Sequence, residues 1–232
     1  MNIRDSLLVA MKQFVELGGQ ILDEFPINQI LVEEGGKVCV EGQVGNVRGK
    51  YLVICAGPWS SNVLQRIGIH LRLKSLIVKA HYWSVKGENF KPFNFIIWER
   101  MVSMWVDYRQ LNILDVKICL HDGVERDPEK RDESTDSKFE EIEEFLSDFV
   151  KANFPCIEPK PVIKESCMYT MSPDKEMILD RHPKYKNIVY GCGFSGSGFK
   201  TGITVGQILA EMVLEKTKSF DSSAFTSHDF IE

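Results

Sequence analysis

The chain has 232 residues, a formal charge of −5, and 44% hydrophobic against 26% charged residues, an ordinary balance for a globular protein with a buried core. The acidic sum gives no footprint for nucleic acid or an anionic membrane surface, and no apolar run reaches the roughly 20 residues of a spanning helix, so neither is expected as a partner. Cys39, Cys55, Cys119, Cys156, Cys167 and Cys192 show no C-x-x-C spacing and the histidines no zinc-type spacing, which points to a reduced compartment and no metal.

The first residues, MNIRDSLLVAMKQF, read as an amphipathic helix and not as a cleavable signal. Over residues 5–18, Leu7, Leu8, Met11, Phe14, Val15 and Leu17 recur at helical spacing, and Gly18-Gly19 supplies a C-cap. Three β-type runs follow, QILDEF, QILVEE and KVCVEG, the last pair turned by Gly35-Gly36. In KYLVICAGPW the apolar stretch Leu52–Cys55 is expected to be a strand buried on both faces. Pro58 then sits at the start of a helix from Trp59 to Ile67.

From Leu71 to about Leu120 the chain turns β-rich. The runs LRLKSLIVKAHYWSV, FNFIIWER, VSMWVDY and NILDVKICL predict a mixed or antiparallel sheet. Trp83, Trp98 and Trp105 fall here and read as core. Residues 122–138 form a charged connector, and FEEIEEFLSDFVKANF repeats apolar residues at helical spacing with a solvated acidic face, closed by Pro155. The final third holds the strand-like runs VIKESCMYT, EMILDRHP and NIVYGCG, then a helix from about Phe199 to Lys216.

The stretch YGCGFSGSGFKTG joins that last strand to that helix, and Gly191, Gly193 and Gly196 spell G-x-G-x-x-G. A dinucleotide fingerprint needs a second buried strand closed by an acidic residue about 20 positions on. Here KSFDSSAFTSHDFIE is too polar for that strand, and Glu211 and Glu215 fall inside the helix. The fingerprint is incomplete. The loop is either a tight strand-to-helix turn or, as its glycine density suggests, backbone that approaches a ligand, with Lys200 and a helix start beside it.

The segment ESCMYTMSPDKEMILDRHPKYKNIVYGCGFSGSGFK, residues 165–200, resembles the C-terminal signature of the monomeric sarcosine oxidase and L-pipecolate oxidase family. These are FAD-dependent amino-acid oxidases of the D-amino-acid-oxidase type. AGPWSSNVLQRIGIHLRLKSLIVKAHYW, residues 56–83, fits the same family's strand-turn-helix and its entry into the substrate domain. The resemblance implies an α/β fold: a partial FAD-binding Rossmann-like domain (1–70 and 171–232) without its N-terminal βαβ unit, and an α+β substrate domain (71–170) with a mixed or antiparallel sheet.

By position, the resemblance implies that Cys167 carries the covalent thioether to FAD and that Lys200 binds the substrate carboxylate beside the cofactor. Phe194, Gly196, Ser197 and Gly198 match the stretch against the flavin ring, with Ser197 in place of the family's usual histidine. Lys117 and His121, spaced i and i+4 on a strand, match the lysine that promotes reaction with oxygen and a histidine lining the substrate pocket. Tyr169 matches a tyrosine near the substrate. The implied reaction is oxidation of sarcosine or L-pipecolate to the imine, with O2 reduced to hydrogen peroxide, by a monomer in the peroxisome. Phe230-Ile231-Glu232 forms no S-K-L-type address. Two alternatives stay open: a non-catalytic remnant unable to hold FAD without the N-terminal unit, and a dehydrogenase passing electrons to a protein acceptor.

Overall fold

The computed structural model describes residues 3–87, 95–97, 102–107, 115–132 and 136–227. The chain divides into two units, one of residues 1–73 with 170–232, the other of residues 74–169.

The first unit opens with α1 (Ile3–Glu16). Gly18 ends it at φ +90°, and the Gly19 N–H donates to Phe14 O at 2.9 Å, the expected glycine cap. α1 buries none of its residues. Next come β1 (Ile27–Val32), β2 (Val38–Gly42) and β3 (Gly45–Gly49), an antiparallel meander. The β1–β2 turn uses Gly35 and Gly36 at φ +79° and +80°, a region that favours glycine.

QILDEF is not a strand, contrary to its apolar pattern. Glu24 takes φ +51° and Pro26 brings no N–H to a ladder, so the run passes as a connection, with Phe25 packed over Gly42. The third strand comes instead from GNVRG, whose exposed residues carry no hydrophobic signal but register on β2, Val40 opposite Val47.

β4 (Leu52–Ile54) leads through a Gly57–Trp59 turn into α2 (Ser60–Gln65). β4 pairs in parallel with a later strand, β12 (Ile188–Cys192), and β12 pairs antiparallel with β11 (Ile178–Arg181). One face of this sheet, with Ile54, Ile178, Ile188 and Tyr190, packs on Ile30, Val38, Leu64 and Ile69. The other face meets α4 (Gly198–Val213), where Leu179 and Val189 pack on Val205, Ile208, Leu209 and Met212. β4 is not buried on both faces as its continuous apolar run suggests. Among the described residues it is an edge strand, and Val53 stays 43% exposed beside the region that α4 covers.

The second unit is a sheet in the order β10-β5-β8-β7-β6. Its strands are β5 (Lys74–Val85), β6 (Phe95–Ile97), β7 (Val102–Asp107), β8 (Asp115–Leu120) and β10 (Ile157–Met171), with short β9 (Val124–Glu125) on β5. α3 (Ser137–Asn153) starts at Asp136, whose carboxylate accepts from the Lys138 N–H at 3.0 Å. Its Ile142, Leu146 and Val150 pack on Trp83, Val116 and Ile118. Trp83 is core as expected, and its indole N–H donates to Ile118 O at 3.1 Å. Trp98 and the side chain of Trp105 lie outside the described residues.

Within the charged connector of residues 122–138, one described position packs closely on β5. Gly123 is buried, and a Cβ there would stand 2.1 Å from Ile77 O. Only glycine lets this charged segment lie that close to β5.

Candidate functional site

In the second unit, Val116 and Ile118 point toward α3, so the alternation of β8 sends Lys117 and Cys119 to the opposite face. Tyr82 is directly opposite Lys117 on β5 and shares that face. On β10 the same alternation groups Glu165, Cys167 and Tyr169, while Ser166 and Lys164 face the other way, bonded to Lys79 and Glu143. Four sequence-predicted residues therefore converge: Lys117, His121, Cys167 and Tyr169.

Their contacts are specific. Tyr169 Oη lies 2.9 Å from His121 Nδ1, with the rings stacked at a centroid distance of 5.9 Å. Lys117 Nζ stands 5.7 Å from the centre of the Tyr82 ring, within reach of a cation–π attraction. The buried Tyr82 hydroxyl donates to Glu165 Oε2 at 2.9 Å.

Cys167 is exposed. Nearby atoms still desolvate its thiol enough to push its pKa up, against the pull of Lys117 and with added pressure from Glu165 and Cys119. Tyr169 is pushed up to about 12, first by burial and then by Cys119 and Cys167. It is a phenol over the whole physiological range.

Tyr82 and Glu165 were not picked out by sequence reasoning. The period of two from Cys167 back to Glu165 would have found the carboxylate. Tyr82 required the β5–β8 register, which no local pattern carries.

The other predicted residues belong to the first unit. Gly193 and Gly196 adopt φ +65° and +91°, and Ser195 between them is held at φ +49°. Ser195 is fixed there by three bonds: its N–H to Thr170 O at 2.9 Å, its hydroxyl to Gly193 O at 3.0 Å, and the Ser172 N–H to its Oγ at 3.3 Å. A Cβ on Gly191 would meet Leu209 Cδ1 at 3.0 Å, and one on Gly198 would meet Phe194 Cβ at 3.3 Å. The glycine density, which suggested backbone approaching a ligand, also has a conformational or packing reason within the chain at Gly191, Gly193, Gly196 and Gly198. Phe194 bridges to Met171 and packs against the α4 core.

Ser197 precedes α4, but its hydroxyl donates back to Phe194 O at 2.7 Å and makes no cap bond to the helix. The first-turn N–H groups of α4 therefore have no side-chain acceptor from the cap residue. Lys200 is exposed on that turn. Glu211 binds Ser219, through its N–H at 2.8 Å and its hydroxyl at 2.5 Å, and so serves the helix C-terminus.

A cavity of about 500 Å³ lies on the α3 side of the second unit and is lined by Lys79, His81, Phe139, Glu143 and Lys164 among others. None of the sequence-predicted site residues lines it. Among the described residues no group of three or more His, Cys, Asp or Glu side chains could hold a metal ion. No described helix is long and apolar enough to cross a membrane.

Residues 3–212 match the family described as DAO, FAD dependent oxidoreductase. The chain belongs to this family. Peroxisomal sarcosine oxidase of Homo sapiens is 37% identical over 220 residues, covering 90% of this chain and 55% of that protein. Peroxisomal sarcosine oxidase of Mus musculus is 35% identical, covering 97% and 59%. The chain thus spans little more than half the length of these curated relatives. Among solved structures, the open form of NikD, an amino acid oxidase of nikkomycin biosynthesis, superposes with a TM-score of 0.76 at 14% identity. It covers 98% of this chain and 60% of that one. At that identity the likeness speaks for the fold, which is the α/β fold of FAD-dependent amino-acid oxidases.

Proposed function

We propose that the protein acts in FAD-dependent oxidation of a secondary amino acid, of the sarcosine or L-pipecolate class, to its imine, with O2 reduced to hydrogen peroxide. The observation that carries this reading is the convergence of Lys117, His121, Cys167 and Tyr169 on one sheet face. Family membership and the printed names of the human and mouse relatives support it.

The residues present suit the reactive end of the cofactor. An exposed thiol, a half-buried cation and a neutral phenol paired with an imidazole share that face. FAD, when bound, supplies the two-electron acceptor and the route to oxygen. In this reading Cys167 is the point of covalent attachment, where a thiolate is the nucleophile. Lys117 provides a fixed positive charge for negative charge developing on oxygen. His121 and Tyr169 line the substrate side, and the phenol stays a hydrogen-bond donor. On the first unit Lys200 and the uncapped α4 N–H groups bind a carboxylate, with Phe194, Gly196, Ser197 and Gly198 beside the ring. Residues 1–73 with 170–232 then act as the FAD-binding part and residues 74–169 as the substrate part. A monomeric, peroxisomal protein accompanies this reading, on the strength of the relatives' names and the resemblance.

A second reading is a non-catalytic form that does not hold FAD. It is favoured by the bare apolar surface of the first unit, where Leu7, Leu8, Phe14 and Val53 are exposed and Ile203 is 94% exposed. An absorbance spectrum before and after acid precipitation separates the two. Yellow colour that stays with the pellet, with peroxide released on addition of sarcosine or L-pipecolate, is the expected result. A colourless purified protein overturns the enzyme reading.

A further inference from the structure

Two residues before the proposed attachment cysteine, on the face it shares with the proposed oxygen-side lysine, stands a charge that neither role requires. Glu165 shares the strand face with Cys167, two residues away on β10. Its carboxylate accepts from Tyr82 Oη at 2.9 Å, and Tyr82 is buried at 4% exposure, so the acceptor is tied to a rigid donor. Tyr82 also lies directly opposite Lys117, whose ammonium stands 5.7 Å from its ring centre. One side chain thus bonds the carboxylate and lies within cation–π reach of the ammonium, the two charges that act on the thiol.

We propose that Glu165, held in place by Tyr82, is a positioning residue that balances Lys117 and sets how readily Cys167 ionises. A cation near a thiol favours thiolate and an anion disfavours it. With Lys117 alone, the exposed thiol would ionise more readily and react with any passing electrophile. Desolvation already raises the thiol's pKa, and Glu165 adds to that by opposing Lys117. Among the described residues, those shown on the Cys167 side are Lys117 and Cys119 from β8, Tyr82 from β5, and Glu165 and Tyr169 from β10, with His121 bonded to Tyr169. Of these, Lys117 brings the basic side chain and Glu165 the carboxylate that act on the thiol in opposite senses. The bearing on flavin attachment rests on the function proposed above; the charge balance itself does not.

The test is the pH dependence of Cys167 alkylation by iodoacetamide in the flavin-free chain, resolved from the other cysteines by mass-spectrometric peptide mapping. Glu165→Gln lowers the alkylation midpoint by about half a pH unit and speeds reaction at pH 7.5 about threefold. Lys117→Met moves the midpoint upward, and Glu165→Asp, which keeps the charge, returns it toward that of the unaltered protein. Tyr82→Phe shifts it in the direction of Glu165→Gln by a smaller amount. A Glu165→Gln midpoint equal to the unaltered protein's, in an assay where Lys117→Met does shift it, overturns the proposal. An unmoved midpoint in Tyr82→Phe overturns the part assigned to Tyr82. Circular dichroism of each variant shows whether the fold is intact. The readout needs no flavin, so a colourless protein could still pass this test while the enzyme reading fails.

Discussion

The Tyr169 hydroxyl lies 2.9 Å from His121 Nδ1, joining the long strand β10 to the residue that follows β8. With its pKa pushed up to about 12, Tyr169 holds its proton and can donate it to the imidazole. In an ultraviolet titration at 295 nm, Tyr169→Phe is expected to remove a component rising near pH 12. It should leave the components of the exposed tyrosines unchanged. Loss of a component near pH 10 instead would contradict the desolvated environment of the phenol.

Lys117 is the one catalytic assignment whose effect is confined to the oxygen half of the proposed reaction. In the flavin-loaded enzyme, Lys117→Met is expected to slow reoxidation by oxygen by about 10²-fold, the usual size of losing one preorganised charge. Substrate-driven reduction in the absence of oxygen should change far less. Stopped-flow absorbance under the two regimes measures both, and an unchanged reoxidation rate would sink the role.

Alkaline stability follows from groups buried in their neutral forms. Burial pushes Tyr190 and Cys192 up to about 12, from ordinary values of 10 and 9. In the unfolded chain both lose their protons earlier, so the unfolded state binds fewer protons than the native state as pH rises. Their contribution is therefore complete below about pH 9 and is lost progressively between 9 and 12. Urea midpoints should fall over that window. Tyr190→Phe should flatten part of the fall, while costing about 1 kcal/mol at neutral pH through the lost bond from its hydroxyl to Ser227 Oγ, 2.9 Å long.

Two glycines of the loop-and-helix segment predict opposite signs for the same substitution. Gly193 sits at φ +65°, and an added Cβ would meet Ser172 Cβ at 3.2 Å and Leu73 Cδ2 at 3.3 Å. Gly193→Ala is expected to destabilise by about 1–3 kcal/mol. Gly202 lies inside α4 with nothing within 4 Å of its Cβ position. Gly202→Ala should stabilise by about 0.5–1 kcal/mol through helix propensity. Chemical denaturation of the two variants checks both signs.

Where local chemistry dictates the backbone, the sequence is easily read. α3 shows its apolar face in Ile142, Leu146 and Val150, and α1 its glycine cap at Gly18-Gly19. The period of two along β8, carried one residue past its end at Leu120, is enough to place Lys117 and His121 on one side, although His121 itself is not on the strand. What escapes depends on partners distant in the chain. GNVRG becomes β3 only because β2 offers it a register, and Val53 is exposed only because β4 ends its sheet. Gly123 looks like one more residue in a charged run until Ile77 O is placed beside it. Likewise, a tyrosine in the middle of β5 gives no hint that its hydroxyl is committed to Glu165.

Ser195, a non-glycine residue fixed in a left-handed conformation by Thr170, Ser172 and Gly193, has a consequence for affinity. A loop held this way has already lost its conformational freedom when the chain folds. Any carboxylate reaching the first turn of α4 meets donors that do not have to be ordered by binding. The entropy of association at that turn should then be set by the ligand's own motions and by released water, and truncating the Ser195 hydroxyl would show up as weaker binding with an unchanged set of contacts.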